Sequence, residues 1–120
     1  MANNIDIKSF TSEVFNSKRV NDHFPGIRVG DFILSIQGST HAYSVPQKDY
    51  YKLSDYDKLE VAIFDKQKQW VSPQSDERLK HFEWAKLFEE NECPVAGYVT
   101  IPQIERIIEN LLFLFGQCMN

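Results

Sequence analysis

The sequence predicts an α+β domain: a mostly antiparallel sheet of four or five short strands, with N-terminal, middle and C-terminal helices packed mainly on one face. Three observations lead there. Short runs of β-branched and aromatic residues at 27–37, 42–45, 59–64, 69–72 and 95–99 are separated by turn-forming residues. Segments near both ends instead repeat apolar residues at three- and four-residue steps. A length of 120 residues, with 42% hydrophobic and 25% charged, suits one globular domain spanning 1–120 with its own core.

In chain order, Ile7, Phe10, Val14 and Phe15 recur at helical intervals, with Asp6 placed to cap the first turn, so a helix is expected over 7–17. Residues 21–26, with Pro25 and Gly26, carry turn chemistry. The run 27–37 reads as a first strand with Gly30 as a bulge; Gly38, Ser39 and Thr40 then turn the chain into a second strand at 42–45, ended by Pro46. After a polar connection at 47–57 comes the apolar run 59–64, expected as a central strand. Residues 65–68 suit a tight turn that lets 69–72 pair back before Pro73. Residues 76–91 are rich in helix formers, with Leu79, Phe82, Leu87 and Phe88 as an interrupted apolar stripe, and predict the middle helix.

A short strand at 95–99 follows, and then the clearest local signal. Thr100 and Gln103 have the spacing of a capping box, and Pro102 lies in the first turn, where its missing donor costs little, so a helix should begin near 101. Ile104, Ile107, Ile108, Leu111, Leu112 and Phe115 share one face that belongs to the core, and Gly116 is placed to end the helix. Phe113 and Leu114 broaden the stripe, which the N-terminal helix is expected to cover; a monomer is favoured over a homodimer.

Composition narrows the function classes. The net charge of −4 is concentrated in residues 49–92, which alone sum to −4, against +1 before and −1 after. Such a field argues against direct nucleic-acid binding, where Lys and Arg neutralise phosphates, and suits a basic protein partner. The first six residues lack the basic start and apolar run of an export signal, and no apolar stretch is long enough to cross a bilayer, so a cytoplasmic protein without membrane attachment is expected. Cys93 and Cys118 have no paired spacing, and Cys93 beside Pro94 reads as a small packed residue. His23, His41 and His81 fall in a turn, a hairpin and a helix with no ligand spacing between them. Neither a phosphate loop nor a nucleophile with its base is legible, so no catalytic residue, metal or cofactor is expected, and the protein reads as a non-enzyme.

What stands out is the segment 49–60, where Tyr50, Tyr51 and Tyr56 lie among Asp49, Asp55, Asp57 and Glu60. Tyrosine buries a large apolar body while keeping a hydrogen-bonding edge, which makes it a good interface anchor. These seven residues are the candidate partner-binding surface, with Tyr43 as a further aromatic candidate.

Glu60, Val61, Ala62, Ile63, Phe64 and Asp65, followed by Trp70 and Val71, and later Val95, Ala96, Gly97, Tyr98 and Val99 leading into the capped helix, form a layout that resembles small bacterial immunity proteins, including those of contact-dependent growth inhibition systems. The resemblance implies a cytoplasmic, noncatalytic inhibitor that occludes a toxin domain, often a nuclease, with acidic side chains standing in for the phosphates its basic cleft accepts. Two alternatives remain open. One is a small enzyme or ligand-binding domain whose pocket no linear motif reveals, with His81, Glu83 and Cys93 as first candidates. The other is an accessory protein that assembles through its C-terminal helix.

Overall fold

In the computed structural model, which describes residues 7–118 with side chains to Leu114, the elements run α1 (Ile7–Phe15), β1 (Ile27–Val29), β2 (Phe32–Gln37), β3 (Lys58–Asp65), β4 (Val95–Thr100) and α2 (Ile101–Cys118). The strands form one antiparallel sheet in the order β1-β2-β3-β4. The fold class is therefore α+β, with four strands and two α-helices among the described residues. The expected cap at Asp6 and the core position of the Phe115 side chain lie outside the described residues.

One face of the sheet builds the core. Phe32, Leu34 and Ile36 alternate with half-buried neighbours along β2, and Leu59, Val61 and Ile63 point to the same side on β3, where Ala62 between them is buried too. Against them α2 lays Ile104, Ile107, Ile108, Leu111 and Leu112, all buried. Fully burying one such side chain contributes about 1.5–3 kcal/mol, so this interface is a large part of the core. The capping box forms as expected: Thr100 N–H donates to Gln103 Oε1 at 3.0 Å and Gln103 N–H to Thr100 Oγ1 at 3.3 Å. Gly116 does not end the helix, which continues to Cys118. Phe113 is 58% exposed, while Leu114 packs against the core. α1 packs on α2 through buried Val14 and Thr11, with Phe10 and Phe15 half-buried. It ends two residues before the expected boundary, where Ser17 N–H tightens onto Val14 C=O at 3.0 Å and Ser17 C=O accepts from Leu53 N–H at 3.3 Å.

Three expectations are corrected. The run 27–37 is not one strand but a hairpin, since Gly30 adopts φ 60° and opens a two-residue turn that pairs Val29 with Phe32. Segments 42–45 and 69–72 are not strands; each makes one bridge, Val45 to Lys58 and Trp70 to Phe64. Near the first, Ser39 Oγ accepts from His41 N–H and Ala42 N–H at 3.1 and 2.9 Å, a local turn that competes with a ladder.

The middle helix is absent as well, replaced by turns and one 3-10 turn at Glu83–Leu87. Leu79, Phe82, Ala85 and Phe88 follow a three-residue repeat, and Phe82, Ala85 and Phe88 each donate an N–H to the carbonyl three residues back, at 3.0, 3.1 and 3.2 Å. A period of three matches the 3-10 geometry, whereas an α-helix would rotate these side chains off one face.

Candidate binding surfaces

Between β2 and β3, residues 38–57 hold no regular element longer than the 3-10 turn Leu53–Asp55. Tyr56 organises this loop. It is only 2% exposed, and its hydroxyl donates to Lys48 C=O while accepting from Tyr50 N–H at 2.8 Å and Arg19 Nη2 at 2.9 Å. Arg19 completes the arrangement: its Nε donates to Tyr50 C=O at 2.8 Å and its Nη2 to Gly38 C=O at 2.6 Å, with the guanidinium 4.6 Å from the centre of the Phe24 ring. One buried phenol and one planar fork thus tie together the start, middle and end of the loop.

The seven candidate residues do not share one orientation. Tyr56 turns inward, and Tyr50 is half-buried against it with ring centres 5.2 Å apart. Both serve the loop itself, because the aromatic rings fill core space that the short strands leave open. Tyr51 is 60% exposed but stands beside the Lys18–Lys52 bridge rather than among carboxylates. Asp49 accepts from Thr40 N–H at 2.8 Å, and this bond, with the Arg19 and His41 charges adding to it, holds its carboxyl below the usual carboxylate range. Asp55 and Asp57 are exposed, and Glu60 is half-buried on the outer face of the sheet.

Glu60 does gain aromatic neighbours, though not the predicted ones. Its Oε2 accepts from Tyr43 N–H at 3.3 Å, and Tyr43 lies on Gly97, where an added Cβ would come within 3.0 Å of the Tyr43 Cβ. Tyr43 C=O accepts from Tyr98 N–H at 2.9 Å, and the two rings sit 5.8 Å apart. Both are about half exposed, at 48% and 47%. Asp57 joins the same edge, its N–H bonded to Val45 C=O at 2.8 Å. Tyr43, Tyr98, Val45, Asp57 and Glu60 therefore form one patch at the β3–β4 end of the outer face.

The patch depends on a bulge that the sequence reading missed. Leu59 pairs with Val99 but Val61 with Ala96, so Gly97 and Tyr98 together face Glu60, and Tyr98 takes φ 53°. A bulky side chain at positive φ is uncommon, and bulges often re-aim one residue. The run 95–99 also fits a plain two-residue alternation, so no local pattern marked the bulge; it shows in the burial of Ala96 and Val99, three apart, on one face. Farther along the outer face, half-buried Phe64 and exposed Trp70 pack with centres 4.6 Å apart.

His23, His41 and His81 are all exposed, and among the described residues no three His, Cys, Asp or Glu side chains are grouped to hold a metal. Cys93 is exposed, not packed as expected, because the chain at Asn91 turns outward and its Oδ1 holds Cys93 N–H at 2.9 Å. Among the described residues no helix is long and apolar enough to cross a membrane. No family model matches the chain, and neither a curated protein nor a solved structure is significantly similar to it.

Proposed function

We propose that this protein is a noncatalytic inhibitor of the immunity type, which docks on a basic toxin domain and blocks its active cleft. The observation that carries this reading is the outer-face patch, where two exposed tyrosines pack at a tilt beside the Glu60 carboxylate on a bulged sheet edge that the Asp57 backbone joins. Tyr43 and Tyr98 supply apolar area with polar tips, the composition of an interface centre. Asp57 and Glu60, backed by a net charge of −4, steer a cationic partner and set its approach. Tyr51 stands apart beside the Lys18–Lys52 bridge, and Tyr50 and Tyr56 act by holding the loop.

The test is co-expression with the products of neighbouring genes, followed by binding kinetics and target activity at several salt concentrations. Removing the aromatic patch by Tyr43→Ala with Tyr98→Asn, asparagine being tolerant of left-handed backbone, should raise the dissociation rate and cost about 2 kcal/mol or more. Neutralising Asp57 and Glu60 as amides should chiefly slow association and flatten its salt dependence. A toxin that is inhibited equally well by both variants would overturn the proposal.

A further inference from the structure

On the helix side of the sheet, away from the tyrosine patch, an open cleft of about 390 Å³ runs between the 3-10 turn Glu83–Leu87 and α2. This falls within the roughly 300–1,000 Å³ of small-molecule sites. Its wall contains Phe82 stacked on Trp84, with ring centres 5.3 Å apart and planes 11° from parallel. Trp84 is buried and Phe82 half-buried, so Phe82 is the outer ring of the stack.

The polar groups around this wall are unequally engaged. Trp84 Nε1–H donates to Asn110 Oδ1 at 2.9 Å, and the Gln103 oxygen is occupied by Thr100 in the capping box. Gln103 Oε1 thus accepts twice and Asn110 Oδ1 once, and both amides keep NH₂ donors for a ligand. Lys86 and Arg106 add cationic donors, Arg106 having a loose 3.4 Å contact with Glu109, and His81 and Glu83 complete the rim. In a protein of net charge −4, this cleft is lined by donors and by more basic than acidic side chains.

We infer that the cleft binds a small planar anion, a phosphate or carboxylate carried on an aromatic or heteroaromatic ring. The ring lies against Phe82, and the anionic oxygens take the Gln103 and Asn110 amide hydrogens together with Lys86 and Arg106. An anionic, acceptor-rich group matches the donors of Gln103, Asn110, Lys86 and Arg106, against which Glu83 is the single carboxylate of the lining, and half-buried Phe82 offers the ring a partner. This inference is independent of toxin binding.

The experiment is a titration of the intact protein with adenosine monophosphate, benzoate, adenosine and inorganic phosphate. It is followed by NMR at the Gln103 and Asn110 side-chain amides and by Trp84 fluorescence in a Trp70→Phe background. Saturable shifts of both amides with adenosine monophosphate or with benzoate are expected, and whichever binds more tightly identifies the phosphate or the carboxylate as the preferred head group. Adenosine, which lacks the charge, should bind at least about tenfold more weakly, since a hydrogen bond to a charged group contributes at least that factor. K86Q/R106Q should lose the same factor with unchanged thermal stability. The inference is overturned if neither ring anion shifts these amides at millimolar concentration, if adenosine binds as well as its phosphate, or if K86Q/R106Q binds undiminished.

Discussion

Tyr56→Phe isolates the device that shapes the 38–57 loop. The ring remains to fill its buried site, so only the hydroxyl and its three hydrogen bonds are lost. Arg19 Nη2 retains Gly38 C=O at 2.6 Å, whereas Tyr50 N–H and Lys48 C=O lose the partner that joined them. An unsatisfied buried donor or acceptor costs about 1–3 kcal/mol, and these two are only partly buried, so water offsets some of the loss; the expected destabilisation is about 2–3 kcal/mol. With an unfolding entropy of about 2.1 cal/mol/K per residue, a chain of this length shifts by about 4 °C per kcal/mol, and Tm should fall by about 8–12 °C. Thermal unfolding followed by circular dichroism, with a urea series to confirm an unchanged m-value, measures this. Tyr51→Phe is the control, because its side chain is 60% exposed, and it should stay within about 0.5 kcal/mol of the wild type. A Tyr56→Phe variant that melts within about 2 °C of the wild type would refute the assignment of Tyr56 as the internal tie of the loop.

Thr100→Ala removes the N-terminal half of the capping box and should cost about 1 kcal/mol, or about 4 °C, in the same melt. Gly38→Ala would bring a Cβ within 2.5 Å of the Tyr56 ring, so it should destabilise by about 1–3 kcal/mol as the loop shifts to relieve the overlap, which chemical denaturation will read. The Asp49 carboxyl, held down chiefly by the Thr40 N–H, should titrate by NMR below a free aspartate. Because its folded pKa is lowered, its contribution to loop order is present above the unfolded pKa and lost as pH falls through the folded one; Asp49→Asn should remove that acid-side change.

What was legible in the sequence was local. The C-terminal helix announces itself through a cap, a tolerated proline and five buried aliphatics at helical spacing, all between Thr100 and Leu112. β3 is equally plain, since a central strand with buried neighbours needs a continuous apolar run. The middle helix misled because helix formers alone do not show whether the apolar period is three or near 3.6; the Leu79, Phe82, Ala85 and Phe88 repeat decided it. The candidate surface was harder to read for a different reason. Arg19 meets Gly38, Tyr50 and Tyr56 across 19, 31 and 37 residues, and no local pattern marks a side chain that will serve as such a tie. Tyr50 and Tyr56 consequently looked like surface aromatics, while Tyr98 looked like an ordinary strand residue.

A twenty-residue connection such as 38–57 is long for a compact domain, where structureless loops beyond roughly 12–15 residues are uncommon and often functional. Left loose, it would have to be ordered whenever a partner docked, and that entropy would subtract from affinity. Here the ordering is already done within the free molecule: a buried phenol, an arginine fork and the Asp49 cap on Thr40 fix the loop, and the β4 bulge fixes Tyr98 against Tyr43. Rigid aromatics beside fixed carboxylates suit recognition better than turnover. On the proposed docking reading, damage to the buried Tyr56 should weaken docking through loss of this preorganisation, whereas damage to Tyr43 should weaken it with the melting temperature nearly unchanged.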